Sequence, residues 1–343
     1  MKFLNIPFFI CVFAVISLNS CGGKKTKQKT DVEQDNITTP IVLQKAPIFE
    51  SDSAYRFIEK QLSFGKRVPN TEGHRRCGDY LVSQLKAYQW EVIEQKFEAV
   101  AYDSTILQSR NIIASYNPKA TRRILLAAHW DTRHVADKEK DAKKAEEAIE
   151  GANDGASGVA VLLEIARLIG LGEMKPTVGV DIIFFDSEDY GKPNGYKKKS
   201  VVDNDWCLGS QYWSKNKHKA DYQAYYGILL DMVGAKGAIF YREGTSMQYA
   251  GIVNQRFWTI ANQLGYKQFV NQDSPSIVDD HYYVNTIAKI PMMNIIEFDV
   301  KNPASFFAPY HHTHQDNLSI IDKTTLKAVG QSVVQMLYNE VAQ

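Results

Sequence analysis

The chain has 343 residues, with 40 Lys+Arg against 39 Asp+Glu and a formal net charge of +1. That balance provides no bulk field for a polyanion, so nucleic acid is excluded as a partner on charge. At 44% hydrophobic and 23% charged the composition is globular, and four Cys are too few for a disulfide scaffold.

Lys2 precedes an apolar run over residues 3–18, broken only by Asn5, Pro7 and Ser17. A short basic segment and a short apolar one make a secretory signal; a spanning helix needs about 20 apolar residues. Leu18-Asn19-Ser20-Cys21-Gly22 comes next. Small residues before a cysteine at this point resemble the bacterial lipobox, in which the cysteine becomes the lipidated first residue of the mature chain. Residues 1–20 are therefore expected to be a lipoprotein signal peptide and Cys21 the lipidation site. Residues 22–29 carry no apolar side chain and no periodicity. The segment 21–47 reads as a lipidated Cys and a flexible tether. The expected location is the bacterial cell envelope, lipid-anchored to the membrane. The absence of an acidic patch after Cys21 points to the periplasmic side of the outer membrane.

From residue 48 to 343 the chain reads as one domain. Ser51 or Ser53 can cap a helix presenting Phe57, Ile58 and Leu62, and Thr71 a second one through Cys77, Leu81 and Leu85. Strands are expected at 92–100 and 106–116. The apolar run 124–128 reads as a strand buried on both faces, as do 178–185, 225–230 and 291–296. An amphipathic helix covers 159–169, and Asp322 starts a last helix through Leu326, Val329, Val333, Met336 and Leu337. Buried strands alternating with helices imply an α/β domain with a mixed, mostly parallel, twisted β-sheet and helices on both faces. The charged stretch 137–150 and the Lys197-Lys198-Lys199 run read as solvated loop insertions. Cys77 and Cys207 either pair or stay as buried thiols.

Ligands gather at the carboxyl ends of strands in such sheets. The residues at the end of each buried strand are chemically uniform. After 124–128 comes His129-Trp130-Asp131, and then Gly151-Ala152-Asn153-Asp154-Gly155-Ala156-Ser157-Gly158 opens a helix. After 178–185 comes Asp186-Ser187-Glu188-Asp189, and after 225–230 comes Asp231. Asp279-Asp280-His281 precedes 291–296, and His311-His312-Thr313-His314 lies beyond it. Carboxylates crowd together only with a cation or a shared proton. A divalent metal held by Asp, Asp/Glu and His is the simplest solution, and tetrahedral zinc suits those donors.

These motifs, in this order, resemble the zinc-aminopeptidase-like superfamily over essentially all of 48–343. Within it the chain is most similar to the animal-type glutaminyl-peptide cyclotransferases, in their bacterial form. Phe184-Phe185-Asp186-Ser187-Glu188-Asp189, the long insertion before Leu208-Gly209-Ser210, Leu229-Leu230-Asp231-Met232-Val233-Gly234-Ala235 and Asp279-Asp280-His281 carry the likeness. So does Gly65-Lys66-Arg67-Val68-Pro69-Asn70-Thr71. The resemblance implies a zinc-exopeptidase-like fold and one zinc ion held by Asp154, Asp189 and His312. It implies Glu188 as general acid/base, with Asp231 and Asp279 sharing protons with it. Asp189 stands where the animal enzymes place Glu, and His311 where they place a pocket Trp. His129, Asp131, His281 and His311 are expected to line the pocket or orient the site. His281 does so by hydrogen bonding, while His314 is second to these and Asp280 is structural. The implied substrates are peptides or proteins with N-terminal Gln, converted to pyroglutamate with release of ammonia. A two-zinc aminopeptidase is the rival: His129 and Asp231 would hold one metal, Asp189 and His312 the other, and Asp154 would bridge.

Overall fold

The computed structural model describes residues 40–302 and 305–341; the expected signal peptide, Cys21 and the tether up to residue 39 lie outside the described residues. Two helices come first, α1 (Ser51–Leu62) and α2 (Glu72–Ala87). Thr71 caps α2 as expected, accepting the His74 amide at 3.3 Å. Neither serine caps α1: Glu50 occupies the cap position and Ser51 is already helical. Next come β1 (Glu91–Val100), β2 (Ile106–Tyr116), β3 (Arg123–His129), α3 (Ala142–Ala145), α4 (Ala156–Leu171) and β4 (Gly179–Phe185). The remainder is α5 (Leu208–Lys215), β5 (Tyr226–Asp231), β6 (Phe240–Arg242), α6 (Gly244–Gln263), β7 (Phe269–Asp273), α7 (Asp280–Tyr283), β8 (Met292–Ile296) and α8 (Lys323–Tyr338).

Six strands form one sheet in the order β1-β2-β4-β3-β5-β8. The pairs β4/β3, β3/β5 and β5/β8 are parallel, and β2 runs antiparallel to both its neighbours. This is the mixed, mostly parallel α/β sheet that the sequence implies. A small parallel pair, β6/β7, stands apart from it. Side chains alternate across a strand, and the central strands use both directions. Ile124, Leu126 and Ala128 of β3 join one apolar cluster, with α1, α4 and α8, while Leu125 and Ala127 join another beneath Trp213 and Tyr222. Burial on both faces explains why these strands read as unbroken apolar runs.

Two glycines let α4 approach the sheet edge. A Cβ on Gly158 would stand 2.3 Å from the Leu230 carbonyl oxygen, so only glycine lets the helix lie this close to β5. Gly155 caps the helix at φ 92°, a conformation that favours glycine. The chain just before α4 is thereby pressed against the ends of β3 and β5.

Packing begins earlier than residue 48. Ile41, Leu43 and Ala46 lie half-buried against the large core cluster. The backbone between them is clasped by side-chain amides. Gln263 exchanges two 3.0 Å bonds with Ile41, Asn339 donates to Val42 O at 2.8 Å, Gln335 to Gln44 O at 2.7 Å and Gln331 to Pro47 O at 3.0 Å. Residues 331, 335 and 339 recur every four positions and so form one row along α8. The segment 41–47, expected to be the end of a flexible tether, is a docked lead-in. Cys77 and Cys207 are both free and buried, which resolves the alternatives left open for them.

Candidate metal centre and active site

β3 and β4 end level, with His129 paired to Phe185, and β5 ends at Asp231 beside Ile296 of β8. Four strand ends therefore present their adjoining residues to one place. Asp131 fixes the turn after β4 by accepting the Glu188 amide at 3.0 Å and the Asp189 amide at 3.1 Å. Ser187 completes that turn at φ 54°. Asp316 does the same for the turn before α4, accepting from Asn153 N at 2.7 Å and Asp154 N at 3.0 Å. His312, at φ 58°, projects from the loop after β8.

The donor atoms converge. His312 Nε2 is 3.2 Å from Asp189 Oδ1 and 3.7 Å from Asp154 Oδ2. Both Asp189 oxygens are buried, and neither has a hydrogen-bond partner among the described residues. Atoms bound at 2.0–2.1 Å around tetrahedral zinc stand about 3.3 Å from one another. His312 Nε2 thus stands within 4 Å of both carboxylates, and Asp, Asp and His are donors that suit zinc. His312 is oriented from behind: Asp137 Oδ1 lies 3.4 Å from its Nδ1, and Trp206 is parallel to its ring at 5.9 Å. A carboxylate on the far ring nitrogen fixes which nitrogen is left for a metal. Arg133 grips Asp137 with two 3.0 Å bonds and donates to the Asp189 carbonyl at 3.0 Å. Burial opposes ionisation of Asp137, but the bonds from His312 and Arg133 hold its pKa below the usual range.

The other expected residues divide. His129 Nε2 is 3.0 Å from Asp154 Oδ1 and 3.2 Å from Asp231 Oδ1. These three form a convergent trio that could hold a metal ion. Burial would make His129 less basic; its contacts with Asp131, Asp154 and Asp231 reverse that and raise it well above the ordinary value. His311 lines the pocket, stacked on His312 at 3.7 Å. Lys138 bonds to its Nδ1. Its Nε2 stands 3.6 Å from Asp154 Oδ2, and Asp154, His311 and His312 together form a group that could hold a metal ion. His281 lies behind the pocket: its Nε2 meets Glu243 at 3.0 Å. Glu243 also caps α6 through Thr245 N and Ser246 N, each at 2.7 Å. His281 thus ties α7, and Asp279 before it, to the body. His314 meets Glu139 at 3.4 Å, outside the cluster.

Glu188 faces a cavity of ≈ 480 Å³ together with Asp231 and Asp279. Burial is the first cause of its pKa being well above the usual value; Asp189, Asp279 and Asp280 add to it and His129 opposes. Asp231 is raised to about 7, by burial first and then by Asp279 and Asp154, against the His129 contact. Asp279 thus raises both Glu188 and Asp231. Asp279 takes 2.6 Å from Asn294 Nδ2, which aims it into the cavity floor. Asp280 is buried beside it, its pKa raised by burial and by Asp279.

Sequence reasoning missed Asp137, Arg133, Asp316, Glu243 and Cys207. Asp137 and Arg133 lie at the start of a loop whose charges read as solvated. Asp316 stands four residues after His312, with no pattern to mark it.

The sequence profile of peptidase family M28 matches residues 111–337. The glutaminyl-peptide cyclotransferase of Drosophila melanogaster is 25% identical over 334 residues, covering 91% of this chain and 87% of its own. The crystal structure of Bacteroides thetaiotaomicron glutaminyl cyclase superposes with a TM-score of 0.83 at 48% identity, covering 87% of this chain and all 100% of that one. A Zn-dependent exopeptidase from Parabacteroides distasonis superposes equally well, TM-score 0.83, at 46% identity over 86% of this chain and 100% of its own.

Proposed function

The chain belongs to peptidase family M28, and on that premise we propose that it is a zinc-dependent glutaminyl-peptide cyclotransferase. Its substrates are peptides or proteins with N-terminal Gln, which leave as pyroglutamyl products with release of ammonia. The observation that carries this reading is the placement of Glu188. A carboxyl of raised pKa stands beside the Asp154–Asp189–His312 group, at the wall of a cavity large enough for a peptide terminus.

Asp154, Asp189 and His312 would hold one zinc ion, which when bound supplies Lewis-acid polarisation of the substrate γ-carbonyl. The chain's own residues do the rest. Glu188 takes a proton from the substrate α-amine as the bond from that nitrogen to the γ-carboxamide carbon forms. It returns a proton to the amide nitrogen as the carbon–nitrogen bond breaks and ammonia departs. One carboxyl serves both transfers because the two nitrogens are attached to the same carbon in turn. Burial first, and then Asp189 and Asp279, raise the Glu188 pKa, which makes its carboxylate a stronger base for the first transfer and readily protonated for the second. Ring closure is intramolecular, and a pocket that fixes the Gln side chain in a folded rotamer supplies much of the remaining acceleration.

The rival two-zinc aminopeptidase is favoured by one observation, the trio His129–Asp154–Asp231. Incubation with a Gln-initiated peptide and with a Leu-initiated one, read by mass spectrometry, separates the two. Loss of ammonia from the first alone supports the cyclase; release of free amino acids from either establishes the peptidase. Metal analysis gives a second discrimination, one zinc per chain against two. We further propose that the protein is a lipoprotein of the bacterial envelope, anchored through Cys21 to the outer membrane and facing the periplasm. The signal and lipobox-like pattern of residues 1–22 supports this. Palmitate labelling that survives Cys21→Ala would overturn it.

A further inference from the structure

Cys207 is fully buried, free, and unused by the chemistry above. It occupies the position before α5, where Ser, Thr, Asp or Asn would normally accept an amide of the first helical turn. Its side chain makes no such cap. The backbone there is left-handed, at φ 56°, which is uncommon for a residue with a side chain. Two main-chain bonds hold it so: Cys207 N–H to Glu188 O at 2.9 Å and Leu208 N–H to Ser187 O at 3.0 Å. Both partners belong to the turn that carries Glu188. The long insertion after β4 is therefore closed at its neck by the residues flanking the proposed acid/base.

The consequence is where the sulfur points. Cys207 Sγ lies 3.1 Å from Glu188 Oε1, in donor geometry, and shares its surroundings with Asp279. Burial first, and then Glu188 and the two neighbouring Asp, keep the thiol protonated. A protonated thiol has one hydrogen to give, and Glu188 Oε1 is the acceptor it meets. The other oxygen, Oε2, makes no bond of this kind among the described residues, where its nearest basic neighbour is His129 Nδ1 at 3.9 Å.

We propose that Cys207 is a positioning residue for the reaction: its S–H bond to Oε1 sets the Glu188 carboxyl in one rotation and leaves Oε2 as the oxygen that exchanges protons with substrate. The kinetic part of this rests on the cyclase reading; the hydrogen bond itself does not. Cys207→Ala should lower kcat about tenfold, on the order of one hydrogen bond, with KM within about twofold. Cys207→Ser, which retains a donor of similar size, should restore most of that loss. Zinc content and melting temperature, measured on the same samples, should stay near wild type. An unchanged kcat in Cys207→Ala, or a Ser variant no better than the Ala variant, overturns the proposal. The difference infrared spectrum of wild type minus Cys207→Ser isolates the S–H stretch of this thiol whatever the substrate proves to be. A band below that of a free alkyl thiol, returning upward in Glu188→Ala, is the expected result. A band at the free-thiol position overturns the proposal even if Gln-peptides are cyclised.

Discussion

At the amino ends of β3 and β4, Arg123 clasps Asp181 through Nε at 2.7 Å and Nη2 at 2.6 Å. Ser115 and Tyr222 hydroxyls donate to the same carboxylate at 2.6 and 2.8 Å, and Arg123 also donates to Asn117 O at 2.7 Å and Tyr116 O at 3.3 Å. Every strong acceptor there has a donor. At the carboxyl ends of the same strands, Asp154, Glu188, Asp189, Asp231, Asp279 and Asp280 are gathered around His129 and His312, with Arg133 and Lys138 as the nearby cations. There the oxygens of Asp189 are left without bonds. Burying charge is costly at both ends. One end satisfies it internally and gains rigidity; the other leaves it open and gains the capacity to bind a cation and hold a proton. The lesson is that burial of charge alone does not mark a site. An excess of one sign, with convergent atoms not bonded to each other, does.

That contrast can be broken in order of effect. Glu188→Gln should abolish turnover, by at least about a thousandfold, while zinc stays bound and the melting temperature barely moves; substantial residual cyclisation would remove Glu188 from its role. Asp154→Asn should lose zinc and activity together, read by metal analysis and by mass spectrometry of a Gln-peptide. Arg123→Met should do the reverse. It strands Asp181 and should cost about 3–5 kcal/mol in urea unfolding, with kcat of the folded fraction unchanged.

A smaller effect separates the two ends by pH. His218 lies beside the Asp181 network, its Nδ1 accepting from Trp213 Nε1 at 3.2 Å. Burial, then nearby Lys219 and Arg123 against the opposing Asp181, lowers its pKa from 6.5 to about 4. Between those values the unfolded chain takes up a proton that the folded chain refuses, so stability falls as pH drops from 6.5 towards 4. Since the ring keeps partial contact with solvent, about 1–2 kcal/mol is expected. His218→Phe should flatten that part of the slope, measured by urea unfolding at the two ends of the window. Smallest of all, Gln335→Ala should cost about 1 kcal/mol by unclasping residue 44, with no effect on activity.

How much of this was legible depends on what each feature's signal is. The central strands were, because burial on both faces writes an apolar run directly into the sequence. The residues at their carboxyl ends were, because the fold brings the position after every such strand to one edge. α6 was not: its helix departs from helical geometry at Ala250 and is capped by Glu243, so neither period nor cap was regular. Asp137 was not, because a charge within a charged loop carries no mark of being turned inward by Arg133. The lead-in was not, because its partners are amides on α6 and at the end of α8, 222 to 297 residues away.

That lead-in has a mechanical consequence. A pull transmitted along the chain into Pro40 meets the side-chain amides of Gln263, Asn339, Gln335 and Gln331 before it reaches any strand of the sheet. Three of these amides lie in a row along one helix, so their bonds would yield one after another, like the teeth of a zip. The catalytic edge is carried by strands that the pull does not load until the last of them has opened. Such strain would thus be absorbed at these clasps, and the spacing of the side chains at the carboxyl ends of the strands left undisturbed.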